Sequence, residues 1–212
     1  MISAVVFDMD GVIVDSEQVW DDVREQYTLS TGGTYGPTAA RDMMGMSAPE
    51  WSRYMSESLG VPGTPEEISA AVVERMLARY GDAPPLIDGA VDAVRSVGVH
   101  WPVAIASSAN PELIEVVLRA TALDSLIRVA VSSQEVARGK PAPDVYLEAA
   151  RRLGVDAASC TAVEDSHNGI RSAKAAGMRV IAVPNPHYPP DDESIALADV
   201  VVASIVDVAG VI

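Results

Sequence analysis

The chain has 212 residues, 49% hydrophobic and 21% charged, which suits one domain, or one domain with a modest insertion, and excludes wholesale disorder. Acidic residues outnumber basic ones 30 to 15, for a formal charge of −15, a field that repels nucleic acid and anionic lipid and admits a phosphorylated metabolite only where a bound cation reverses the sign locally. The lone Cys160 makes no intramolecular disulfide or zinc cluster, no basic segment precedes Asp8 as in a signal peptide, and no apolar run nears the ~20 residues of a membrane span. The expectation is a cytoplasmic globular protein, monomer or homodimer, with neither nucleic acid nor membrane as partner.

The first apolar run, Ala4–Phe7, reads as a strand buried on both faces. Residues 16–81 then show no good strand, only helical patterns at Glu17–Ser30, Thr38–Met44, Pro49–Leu59 and Pro65–Tyr80, divided by Gly- and Pro-rich turns. Beyond them, helix-like Ala90–Val97, Pro111–Thr121, Pro143–Leu153 and Asn168–Ala176 alternate with strand-like Pro102–Ala106, Arg128–Val131, Thr161–Val163, Arg179–Val183 and Asp199–Ala203. Pro111 and Pro143 suit a first helical turn, and Gly154 and Gly177 suit helix ends. The alternation predicts an α/β fold, a doubly wound parallel sheet with a Rossmann-like core, carrying an inserted α-helical cap. The core is expected over residues 1–15 and 82–212 and the cap over 16–81, with hinges near Val14–Ser16 and Gly81–Asp88.

Open α/β sheets bind ligands outside the carboxyl ends of their strands. Asp8 and Asp10 follow the first run and share one side of an extended chain, with Met9 turned away and Gly11 permitting a turn. Ser107 and Ser108 follow the second run, Glu164 and Asp165 follow another, and Lys140 lies between them in Gly139-Lys140-Pro141-Ala142-Pro143-Asp144. Singly, each has a bland explanation: a turn, a helix cap, a solvated lysine, a charged loop. Together they would converge on one crevice, where clustered acids need a cation and oxygen-only ligands favour Mg²⁺. Phosphoryl transfer fits this set, with one aspartate as nucleophile, the other moving the proton, and a hydroxyl and a lysine on the phosphate. A signalling receiver module would place similar groups at strand ends, but it leaves residues 16–81 unexplained.

The run from Phe7 to Glu17, with Asp8-Met9-Asp10-Gly11 at its head, resembles the first motif of the haloacid dehalogenase-like hydrolases. Ser107, Lys140 in Gly-Lys-Pro-x-Pro-Asp, and Glu164-Asp165-Ser166 resemble the second, third and fourth motifs, in family order. The resemblance implies Asp8 as nucleophile and Asp10 as general acid and base. It also implies Mg²⁺ held by Asp8, the Asp10 main-chain carbonyl and Asp165, with Glu164 either a direct ligand or one step removed. Ser107, Ser108 and Lys140 would bind the phosphoryl group. Asp10 argues against a dehalogenase, and no lysine near Asp10 or Trp20 offers a phosphonatase Schiff base.

Within that family the expectation is a phosphatase acting on a small phosphorylated metabolite, a sugar or sugar-alcohol phosphate being the leading class. The alternative is a β-phosphoglucomutase-like enzyme, which needs a second cationic phosphate site on its cap. Such relatives carry a histidine where this chain has Trp20, and a lysine and an arginine flanking the loop that here reads Met44-Gly45-Met46-Ser47-Ala48. Arg41 and Arg53 are the nearby cations that could compensate. Trp20, Gly45 and Met46 are the candidate cap wall over the substrate, whereas Trp51 reads as packing between cap helices. Asp15 reads as a helix cap, and Cys160 as a buried residue at a strand entrance that does no chemistry.

Overall fold

Short Val, Ile and Ala runs form strands here because both of their faces are covered. The structure, a computed structural model, describes residues 2–44, 46–81 and 83–212. Gly45 and the expected domain boundary at residue 82 lie outside these. Six strands, β1 (Ala4–Phe7), β2 (Val103–Ser107), β3 (Ile127–Ser132), β4 (Cys160–Glu164), β5 (Arg179–Ala182) and β6 (Val200–Val201), form one sheet in the order β3-β2-β1-β4-β5-β6, with every pairing parallel. The order reverses between β1 and β4, and such a switch point opens a crevice at the carboxyl ends of both strands. Phe7 pairs with Val163 across this boundary, so the residues that follow them, Asp8 and Glu164, emerge side by side.

The nine α-helices of the described residues are α1 (Glu17–Ser30), α2 (Ala39–Met43), α3 (Ala48–Glu57), α4 (Pro65–Tyr80), α5 (Ala90–Gly98), α6 (Pro111–Thr121), α7 (Asp144–Leu153), α8 (His167–Ala175) and α9 (Asp192–Ile195). Strand alternation assigns Val5, Phe7, Val103 and Ile105 to a core shared with α5 and α6, and Ala4, Val6, Ala104 and Ala106 to a core shared with α7 and α8. The second face is lined by small residues, which lets α7 lie close under β1 and β2. That closeness brings Tyr146 of α7 beneath the crevice.

Helices α1–α4 are an insertion between β1 and α5, with α4 resting on both α1 and α3. The chain leaves and returns through adjacent backbone: Asp15 N donates to Pro85 O at 2.7 Å and Ile87 N donates to Ile13 O at 3.0 Å. Thr64, Pro65 and Glu67 start α4 with a reciprocal capping box. Among the described residues no helix is long and apolar enough to cross a membrane.

Three local expectations need correction. Asp15 is exposed and caps nothing; Ser16 holds the N-cap position of α1, and its hydroxyl bonds the Asp10 side chain instead. Pro143 stands at the N-cap of α7, one residue before the first turn. The last strand shrinks to Val200–Val201; just ahead of it the Asp199 carboxylate accepts from Val180 N at 2.7 Å and pairs with Lys174 at 3.0 Å. Cys160 opens β4, buried and free, as expected. The C-terminal segment closes as a 3-10 helix, Ile205–Gly210, that buries Ile205 and Val208 against α5.

Candidate active site

Asp8 and Lys140 come from segments 132 residues apart, and the crevice joins them: Lys140 Nζ donates to Asp8 Oδ1 at 2.8 Å and to Glu164 Oε1 at 2.6 Å. Glu164 Oε1 also accepts from the Tyr146 hydroxyl at 2.7 Å, while Oε2 accepts from Asp165 N, Ser166 N and the Ser166 hydroxyl. With both oxygens engaged, Glu164 acts on the site by fixing Lys140 and the start of α8. Carboxylate oxygens of Asp8, Glu164 and Asp165 nonetheless lie within 4.8 Å of one another, all three residues buried.

Two glycines make this crowding possible. Gly11, at φ +77°, faces the Asp165 carboxylate so closely that a Cβ there would stand 1.9 Å from Oδ2. Gly169, in the first turn of α8, is packed the same way by the Glu164 carboxyl, also at 1.9 Å. The role of Gly169 escaped the sequence reading, although a glycine inside a helix disfavours it relative to alanine and so signals a steric need. Gly169→Ala is expected to destabilise the fold by about 1–3 kcal/mol, the scale of an overfilled core, and to lower turnover by displacing Glu164 from Lys140. Denaturant melts with rate measurements on the same samples check both effects.

Asp10 is held apart from the acid cluster. Its carboxylate accepts from Ser16, from Ser107 Oγ at 3.3 Å and from Trp20 Nε1 at 3.4 Å. Ser107 Oγ in turn accepts from Ala109 N at 3.0 Å. Asp10, Asp8, Ser108, Lys140 and Asp165 all line one narrow cleft under the inserted helices. About 50 Å³ of it is open to water-sized occupants, room for a few waters at ~10–15 Å³ each.

Burial is the dominant electrostatic force here. It pushes the Asp8 carboxyl up to about 8, against the pull of Lys140 and with Glu164 and Asp10 adding to the push. Burial, then Glu164 and Asp8, raise Asp165 well above the ordinary carboxylate range. Burial also opposes the charge on Lys140, but Asp8 and Glu164 outweigh it and hold the ammonium above its usual range. One ammonium thus serves three buried acids, and a hard cation on the Asp8 and Asp165 oxygens is what would keep both ionised. The oxygen-only donor set fits Mg²⁺ in kind.

The inserted helices contribute an apolar and cationic wall. Trp20 and Met46 line the cleft as expected, and so does Trp51, which the sequence reading had confined to helix packing. Arg41 and Arg53, expected as compensating cations, are exposed and do not line the cleft. The cation that does is Arg24, one turn beyond Trp20 on α1. Its i,i+4 spacing from Trp20 was the signal available in the sequence.

A carboxylate and a lysine joined at a switch point, beside a second carboxylate and three clustered acids that could hold a metal ion, form a site suited to anionic substrates. A family model for haloacid dehalogenase-like hydrolases matches residues 2–177, and the chain belongs to that family. It is 32% identical over 212 residues to hexitol phosphatase B of Escherichia coli, covering 97% of this chain and 94% of that protein. It is 31% identical over 208 residues to the bifunctional riboflavin kinase/FMN phosphatase of Arabidopsis thaliana, covering 97% of this chain but only 54%, about half, of that protein's length. The crystal structure of CbbY from Rhodobacter sphaeroides in complex with phosphate superimposes with a TM-score of 0.86 at 26% identity, over 98% of this chain and 96% of that one.

Proposed function

We propose that this chain is a magnesium-dependent phosphatase that hydrolyses a small phosphorylated metabolite through an aspartyl-phosphate on Asp8. The observation that carries the reading is the separation of the two aspartates into different environments on one cleft. Asp8 is buried against Lys140, and Asp10 is tethered by Ser16, Ser107 and Trp20. An Asp8 oxygen attacks phosphorus while the bond to the leaving oxygen breaks, and Asp10 supplies the proton that the leaving alcohol needs. Asp10 then takes a proton from the water that attacks the same phosphorus, which frees Asp8 and inorganic phosphate. Lys140 fixes the Asp8 carboxylate through Oδ1, and its charge, with the Ser108 hydroxyl on the cleft, favours the phosphoryl group, while Ser107 spends its one hydroxyl proton on Asp10.

Asp8, Asp165 and the Asp10 main-chain carbonyl would hold Mg²⁺, with Glu164 one step removed because five donors already occupy its oxygens. When bound, Mg²⁺ screens the phosphate charge and aligns it for in-line attack. The insertion, residues 16–81, serves as a cap domain over the core formed by residues 1–15 and 82–212. Its Trp20, Met46 and Trp51 side chains help to exclude water and shape the pocket for the leaving group. A sugar or sugar-alcohol phosphate is the leading substrate class, supported by the name of the hexitol phosphatase relative. The acidic surface and the single buried cysteine support a cytoplasmic enzyme. The mutase alternative loses Arg41 and Arg53, which face solvent, and is left with Arg24 as the one cation of the insertion on the cleft among the described residues.

The test is phosphate release from hexose, pentose, hexitol, glycerol, glycolate and nucleotide phosphates. Stripping divalent metal with a chelator is expected to cut turnover at least 100-fold, roughly the 3 kcal/mol scale of a cation on the transferring group, and added Mg²⁺ to restore it. Full turnover in excess chelator would overturn the metal assignment.

A further inference from the structure

Arg24 lies buried in α1, with a relative exposure of 7%, yet its side chain makes no ion pair or hydrogen bond with any described residue. Its Nε is a buried donor without a partner. Buried guanidinium groups are normally paired, because an unmatched one forfeits its hydration. What holds Arg24 is aromatic: its guanidinium carbon lies 4.7 Å from the Trp20 ring centroid and 5.0 Å from that of Trp51. The two rings are 6.0 Å apart and tilted by 54°. Cation–π contact fixes a guanidinium through its face and leaves the in-plane N–H donors unused. Those donors belong to a side chain that lines the same cleft as Asp8, Asp10 and Lys140.

The carboxylates around Arg24 do not take up these donors. Glu17, Asp10 and Asp21 act on it only through longer-range charge. Asp21 is itself bonded to Tyr35 at 2.6 Å, and burial lifts Glu17 to about 7, so neither is a settled counter-ion. Trp20 connects the two ends of the cleft, since its Nε1 reaches Asp10 and its ring carries Arg24. An anion on Arg24 would therefore sit one indole away from the proton-donating aspartate, a span suited to a metabolite of a few carbons.

We infer that Arg24 is a specificity-determining residue that takes a second anionic group of the substrate, a phosphate or a carboxylate, carried at the far end from the phosphate that is cleaved. The inference rests on the phosphatase reading and narrows its substrate class to sugar phosphates that carry a second anion, which sets neutral-tailed hexitol and glycerol phosphates aside. Trp20 and Trp51 are then the clamp that presents the guanidinium fork, which matches either anion bidentately.

The experiment compares kcat/KM on three kinds of compound: a sugar bisphosphate, phosphoglycolate and 3-phosphoglycerate as carboxylate-tailed substrates, and hexitol 6-phosphate and glycerol 3-phosphate as neutral-tailed ones. Wild type is expected to prefer one doubly anionic kind, and which one it prefers separates phosphate from carboxylate. Arg24→Met is expected to lower the ratio of doubly anionic to neutral-tailed kcat/KM at least tenfold, chiefly through KM, with Arg24→Lys recovering part of it. Calorimetric binding of the same compounds in an Asp8→Asn background reads the effect without turnover, and a tenfold loss of affinity for the doubly anionic ligand is expected there. A wild-type preference for neutral tails, or a folded Arg24→Met whose ratio and affinities stay within twofold, overturns the inference. If Arg24→Met does not fold, Arg24→Lys carries the test, and an unchanged ratio in it counts against the fork. No phosphate release from any compound would overturn the phosphatase reading, while the calorimetry would still decide the role of Arg24.

Discussion

Asp8→Asn is expected to abolish phosphate release, by on the order of 10⁵-fold, the scale on which loss of a covalent nucleophile is felt in enzymes whose catalytic groups act as a unit. The amide keeps the shape of the side chain and can still accept from Lys140, so the geometry of the cleft survives while no acyl-phosphate forms. The same change removes an ionisable group that burial has already pushed up to about 8. A buried carboxyl with a raised folded value costs stability once the pH exceeds its ordinary value, and an amide carries no such cost. The metal-free variant is therefore expected to melt at or above wild type at pH 7.5. Turnover within tenfold of wild type would show that Asp8 is not the nucleophile. A variant that melts far lower would show that its charge holds the fold together.

Much of the architecture was legible because its signals are local. Runs such as Ala4–Phe7 are short, apolar and followed by helical periodicity, and the strand forms over those same residues. Glu17–Ser30, Pro111–Thr121 and Pro65–Tyr80 are bounded by caps, prolines and turns that act within a few residues, and these helices too have the expected ends. The edge of the sheet was less legible, since Asp199–Ala203 reads as a strand, whereas only Val200–Val201 form one and the Asp199 carboxylate accepts from Val180 N. In the candidate site, Asp8, Asp10 and Asp165 stood out as polar residues after strands, and Lys140 through its Gly-Lys-Pro-x-Pro-Asp segment. Their neighbours Tyr146, Gly169 and Arg24 did not, because each looks ordinary on its own helix. Tyr146 matters only once small residues on β1 and β2 let α7 approach, and Gly169 only once Glu164 is known to lie against it. Arg24 was not singled out, although it stands one turn beyond Trp20, because a lone arginine on a helix carries no motif.

Lys140→Met is the change with the largest expected effect on stability. The ammonium sits between Asp8 and Glu164, 5.2 Å from the centroid of the Tyr146 ring, with no other cation within ion-pair distance of those acids among the described residues. Methionine fills a similar volume, so the loss is electrostatic: three buried carboxyls remain with no counter-charge. Removing one partner of a buried ion pair typically costs about 3–5 kcal/mol, and turnover should fall by at least 100-fold as the phosphoryl site loses its charge. The variant should also acquire a pH dependence of definite sign. Without Lys140, the folded-state values of Asp8 and Asp165 rise further above their unfolded values, so the native state binds more protons and stability falls as pH rises. Lys140→Met should therefore melt higher at pH 5.5 than at pH 7.5, and Mg²⁺ should restore more of its stability than it adds to wild type. Combining it with Asp8→Asn removes one of the stranded acids, so the double variant should be less destabilised than the sum of the two single changes. Simple additivity in that cycle would mean that Lys140 and Asp8 do not act on each other, and the ion pair at the centre of the proposed mechanism would lose its support.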